Sequence, residues 1–169
     1  VKQKIDKDRS IIFSSPMKRC IETVNELFLN NEPLLDNRLL EFNYGLAEGL
    51  SYIDISKKFP KIKESWDLGE DPPFPNGEST QDVFLRLNSF MNYLKNETLL
   101  EKDNIFVVTH NGVIRCLLGN LLNIEKKHWH RLEIPFGEPL EILFLNGNFH
   151  SNISRNKLSN IMKGFELKA

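Results

Sequence analysis

Two short runs constrain this chain most: Ile11-Ile12-Phe13 and Ile105-Phe106-Val107-Val108-Thr109, each passing without a spacer into a helical pattern. A continuous apolar, β-branched run has no polar face to offer water, so it reads as a strand covered on both faces. After the first run, Cys20, Val24, Leu27 and Phe28 recur at helical spacing over about 16–29. After the second, Val113, Leu117, Leu118 and Leu121 do the same over about 112–122. Strand into helix, twice, predicts an α/β fold with a parallel sheet.

Between the two units a helix near 79–96 carries a wide apolar stripe of Val83, Phe84, Leu87, Phe90, Met91 and Leu94. Residues 60–77 hold Pro60, Pro72, Pro73, Pro75, Gly69 and Gly77, and read as a long irregular segment of the kind that overhangs a site. Leu140 to Leu145 reads as a further strand, turned by Asn146-Gly147 into a hairpin with Asn148 to His150. The reading takes 1–150 as a single domain and 151–169 as a C-terminal surface helix or tail.

The 169 residues suffice for a sizeable core, and 40% hydrophobic with 27% charged residues excludes both a disordered chain and a fibre. A net charge of -1 offers no global field for nucleic acid or an anionic membrane, so any anion site must be local. No apolar run approaches a membrane span, and the polar opening residues do not form a signal peptide. A cytoplasmic location follows as the expectation. Cys20 and Cys116 lack metal-type spacing and read as buried thiols.

The chemistry concentrates where the two runs end. Ser15 is a good N-cap and Pro16 suits a first helical position, so strand gives way to helix within two residues of Ser14. Arg19 then falls in the first turn, where a cation is locally unfavourable and implies an anion. His110 stands at the carboxyl end of the second strand, and Asn111-Gly112 permits a tight turn that aims backbone N–H groups outward. Ligands of open α/β sheets bind at that edge. Glu41, between Leu40 and Phe42, is placed for the desolvation that suits a proton donor near neutral pH. Glu48 beside Gly49 reads instead as a hydrogen-bonded loop carboxylate, and Ser79 with Asp82 as a capping box.

Taken together, Ser14-Ser15-Pro16-x-x-Arg19-x-x-x-Thr23, Leu40-Glu41-x-x-x-Gly45-x-x-Glu48-Gly49, Gly77-Glu78-Ser79 followed by Arg86, and Val108-Thr109-His110-Asn111-Gly112 resemble the histidine phosphatase superfamily, the phosphoglycerate-mutase-like enzymes. The resemblance implies a three-layer sandwich with a mostly parallel central sheet flanked by helices. It also implies phosphoryl transfer from a small phosphorylated metabolite through a phosphohistidine, without cofactor or metal. Arg19 would hold the phosphoryl oxygens with Asn111, His110 would stabilise the transferring group, and Glu41 would protonate the leaving oxygen. Asn43, Tyr44 and Glu78 would contribute to a substrate pocket. The stretch Asn43 to Gly49 is closer to the phosphatase branch than to the mutase branch, which stays the nearest alternative. As partners, nucleic acid and membrane are excluded and a homodimer stays open.

One departure matters. The family nucleophile lies in an Arg-His-Gly motif ending the first strand, and no such tripeptide occurs here; His128, His130 and His150 lie too late to supply it. The chain as given therefore reads as inactive. Its absence is expected to remove a strand from the middle of the sheet. With Val1 in place of an initiator Met, the expectation is an N-terminal truncation of about 15 to 25 residues, Val1 to Ile5 ending a helix. The rival is a non-catalytic phosphometabolite-binding domain. His128-Trp129-His130 would be an alternating pair on a strand, read as packing rather than as metal ligands.

Overall fold

The computed structural model describes residues 9–28, 31–95, 102 and 104–165. The expected helix over Val1 to Ile5 and the end of the helix near 96 lie outside them. The described residues of Val1–Glu41 and Leu85–Val113 form one compact unit, and those of Phe42–Phe84 and Ile114–Ala169 another, where the sequence suggested one domain over 1–150.

The first unit is built on a three-stranded parallel sheet in the order β2-β1-β3, with β1 Ser10–Ser14, β2 Leu34–Leu35 and β3 Asn104–Val108. Alternation along β1 sends neighbouring side chains to opposite faces. On one face Ile12 meets Val24 and Phe28 of the α1 segment (α1, Lys18–Leu27), with Phe106 and Val108 of β3 beside them. On the other, Phe13 lies edge-on to Phe90, at 5.3 Å between centroids, and near Tyr93 of α4 (Thr80–Tyr93). Helix, sheet and helix thus form three layers within this unit.

Three expectations are corrected here. Helix α1 starts at Lys18 with Met17 as its N-cap, so Ser15 is not the cap and Pro16 stands outside the helix. Leu27 points to solvent while Cys20, Val24 and Phe28 are buried, because the i, i+4, i+8 row faces the sheet. β3 is not covered on both faces: it ends before Thr109 and leaves Val107 38% exposed beside the buried Phe13. Among the described residues, no strand pairs with the edge of β3 opposite β1.

In the second unit, half of the segment expected to be irregular is helical. After α2 (Tyr52–Lys58), started by a Ser51–Asp54 capping box, α3 runs Pro60–Asp67. Pro60 sits at the first helical position, where its missing N–H costs nothing, so a residue read as a breaker is an initiator. Ser79 and Asp82 form the expected capping box, and the Asp71 carboxylate accepts from the N–H groups of Thr80 and Gln81. Helix α5 (Asn111–Leu121) buries Val113, Cys116 and Leu118, with Leu117 and Leu121 only half-buried.

The hairpin pairs β4 (Ile142–Leu145) with β5 (Asn148–Ser151) through Asn146 and Gly147, whose φ values of 51° and 80° are those of a type I′ turn. His128 and His130 lie on a 3-10 helix, Lys126–Arg131, rather than on a strand. That helix buries Trp129, whose indole N–H donates to Ile124 O at 2.8 Å. Helix α6 (Arg155–Ile161) is more than a surface helix: Ile161 is buried against Leu118, Leu132 and Ile134. No described helix is long and apolar enough to cross a membrane.

Candidate active site

Because β1 and β3 are parallel neighbours with Ser14 opposite Val108, the chain leaves both at the same edge of the sheet. The ladder continues one step, Ser15 N–H donating to Val108 O at 2.9 Å. From this edge β1 feeds α1, which carries Arg19 and Cys20, and β3 feeds Thr109, His110 and then α5 at Asn111. A cluster drawn from residues about 90 apart in sequence is thus brought together by strand pairing.

His110 is 5% exposed and fully engaged. Arg19 Nε–H donates to Nδ1 at 3.1 Å, and Nε2 lies 2.8 Å from Ser15 Oγ. The guanidinium is always a donor, so Nδ1 must be the bare nitrogen, and the single ring proton sits on Nε2 pointing at the serine hydroxyl. This order rules out a serine nucleophile: Nε2 cannot take the Ser15 proton while it carries its own. Burial, followed by the charges of Arg19 and Arg86, lowers the imidazole to about 4, so the ring is neutral near pH 7.

Cys20 Sγ lies 3.5 Å from Nε2. Burial pushes its thiol up, with Arg19 and a Ser15 hydrogen bond opposing and Glu41 adding. A reactive cysteine needs the reverse shift, so Cys20 is packing against the imidazole. Thr23, part of the sequence motif, returns its hydroxyl to Arg19 O at 2.8 Å along the helix.

Glu41, half-buried, follows the 3-10 helix Asn37–Leu39 in a stretch with no secondary structure of its own. Donors from elsewhere in the unit hold its backbone neighbourhood: Thr109 Oγ1 to Leu39 O at 2.8 Å, Arg86 Nη1 to Arg38 O at 2.8 Å and Arg86 Nη2 to Glu41 O at 3.1 Å. Arg86, half-buried on α4, thus grips the backbone of this stretch at two carbonyls. The first unit brings together Arg19, His110 and, through its influence on Cys20, Glu41, with Asn111 next in the chain.

The remaining sequence-picked residues belong to the second unit. Glu78 Oε2 accepts from Asn43 N–H at 2.9 Å, Asn43 O accepts from Glu78 N–H at 2.8 Å, and Asn43 Oδ1 accepts from Gly45 N–H at 2.9 Å. Tyr44 stacks on Phe42 and meets Phe74 edge-on. The two loops cross so closely that a Cβ on Gly45 would run into Pro75 O, and one on Gly77 into Asn43 O. Glu48 is exposed beyond the short helix Gly45–Ala47. Sequence reasoning missed Ser15 as the partner of His110, Thr109 as a tie and Arg86 as a clamp, since each has an ordinary capping or surface role with the same spacing.

A family model for the histidine phosphatase superfamily (branch 1) matches residues 2–152. The chain belongs to the histidine phosphatase superfamily. Among curated relatives, the fructose-2,6-bisphosphatase of Saccharomyces cerevisiae is 26% identical over 136 residues, which is 80% of this chain and 28% of that protein. The histidine phosphatase chain described here therefore spans under a third of that relative's length. The alpha-ribazole phosphatase of Shigella flexneri superposes with a TM-score of 0.70 at 18% identity, covering 85% of this chain and 71% of that one, and shares the fold. A mycobacterial glucosyl-3-phosphoglycerate phosphatase, solved with VO3, gives a TM-score of 0.54 at 26% identity over 73% of this chain and 63% of that one. Phosphatases thus surround this superfamily member in sequence and in fold.

Proposed function

We propose that the full-length protein is a phosphomonoesterase acting on a small phosphorylated metabolite through a phosphohistidine, in the cytoplasm. The observation that carries the reading is Arg19 bonded to His110 at the carboxyl edge of a parallel sheet, in a chain of this superfamily. Arg19 supplies a charge for the phosphoryl oxygens, and His110, neutral with a proton on Nε2, supplies a hydrogen-bond donor. The transferring group becomes metaphosphate-like, so donors fixed around its equatorial oxygens lower the barrier with no covalent role of their own. Glu41 gives a proton to the departing alkoxide, then takes one from the water that attacks the phosphohistidine.

The acceptor imidazole this scheme requires lies in an Arg-His-Gly motif that the 169 residues do not contain, so the activity is proposed for the full-length protein. That same observation favours one second reading, a binding domain without turnover. The full-length protein, incubated with a phosphomonoester and quenched in alkali, should yield an acid-labile phosphohistidine and inorganic phosphate. Glu41→Gln should slow turnover by ~10²–10⁴-fold. Phosphate binding with no phosphoenzyme and no turnover would leave the binding domain as the answer.

A further inference from the structure

We propose that Arg86 is the positioning residue for Glu41. The proposal rests on the reading above, in which Glu41 is the proton donor. Glu41 needs a defined position, yet its segment has no ladder of its own beyond the Asn37–Leu39 turn. The guanidinium of Arg86, half-buried on α4, holds it by spanning two carbonyls three residues apart, Arg38 O at 2.8 Å and Glu41 O at 3.1 Å.

The anchor beneath this clamp is itself held. The Arg38 side chain is paired with Asp36, donates to Ser89 O at 3.2 Å and lies over the rings of Phe90 and Tyr93. Asp36 also accepts from Arg38 N–H at 2.8 Å. Thr109, immediately before His110, holds the carbonyl between them, Leu39 O. The segment 38–41 is therefore pinned to α4 by Arg86 and to the end of β3 by Thr109, so the Glu41 backbone is referenced to the strand that delivers His110. Only arginine has donors on a rigid planar fork wide enough to serve both carbonyls; a lysine ammonium in the same place keeps the charge and loses the fork.

The test is a double-mutant cycle in the full-length protein. Arg86→Ala should lower kcat by ~10²-fold, the scale of a misplacement near 1 Å, with KM for the phosphomonoester little changed. Adding Arg86→Ala to Glu41→Gln should cost much less than Arg86→Ala alone, since the clamp acts chiefly through the Glu41 carboxyl group and the charge of Arg86 near His110 contributes only the remainder. Arg86→Lys should recover only part of the lost rate. An unchanged kcat in Arg86→Ala, full recovery in Arg86→Lys, or independent losses in the double variant would each overturn the proposal. Should Arg86→Ala fail to fold by circular dichroism, Arg86→Lys and its combination with Glu41→Gln carry the same comparison. If Glu41→Gln alone leaves turnover unchanged, the functional reading has failed, which is a distinct result from a failure of the clamp.

Discussion

In the first unit Arg19 donates to another side chain, the His110 ring; in the second, the Glu78 carboxylate accepts from a backbone amide, that of Asn43. Both pairs join residues far apart in sequence and both came from motif positions. The difference lies in what happens when a ligand arrives. A contact between two side chains can be supplemented by one with an oxyanion, because Arg19 has further guanidinium N–H donors beyond the one on Nδ1 and His110 keeps its Nε2 proton for another acceptor. A carboxylate gripping a backbone N–H where Gly45 and Gly77 let two loops cross has an architectural duty, and removing it disturbs the loops.

The comparison breaks first at Arg19. Arg19→Ala should weaken inorganic phosphate binding, measured by titration calorimetry, and lower turnover by ~10²–10³-fold, the usual loss of a preorganised charge-stabilising donor. Glu78→Gln should change neither by more than about tenfold, one hydrogen bond's worth. The reverse ranking would reassign the two sites. Next comes Gly77→Ala, which should destabilise the fold by about 1–3 kcal/mol through overpacking against Asn43 O, as read from denaturant midpoints. Phosphate affinity of the folded fraction should survive it.

Proton linkage gives a sharper, smaller test. His110 is held at about 4, below its ordinary 6.5, so the unfolded chain binds more protons between those values. Its contribution to stability is therefore complete above about pH 6.5 and is lost as pH falls toward 4. The imidazole resonance should stay neutral at pH 5.5 in the wild type and titrate at higher pH in Arg19→Ala. Unaltered titration would mean that Arg19 does not set the ring's charge. The smallest effect belongs to Asp36→Ala, about 1 kcal/mol for a lost turn cap and a part-exposed ion pair. Asp36 is held below its ordinary value chiefly by Arg38, so this loss is present above pH 3.8 and disappears as pH falls lower.

The fold was legible where one physical rule governs. Apolar runs followed by amphipathic helices announced β1–α1 and β3–α5, and Asn146-Gly147 announced the hairpin because few dipeptides tolerate φ > 0 twice. It failed where two rules compete for one residue. Pro60 ends helices and begins them, and only the neighbouring Phe59 turn decides which. Ser15 caps helices and hydrogen-bonds histidines; the Met17 N–H reaches it only at 3.4 Å, while His110 lies at 2.8 Å. Burial of β3 depended on which strands flank it, a long-range property with no local signature.

The Ser15 hydroxyl has a further consequence. Its oxygen lies 2.8 Å from His110 Nε2, where the proposed scheme would put an anionic oxygen. In that scheme the ring is already solvated by the protein, with one neutral oxygen standing in for a charged one. Entry of a phosphoryl group would then be an exchange of acceptors at a ring that Arg19 already holds at Nδ1. In that scheme the imidazole would not turn, and the negative charge of the incoming oxygen would favour it over the neutral hydroxyl.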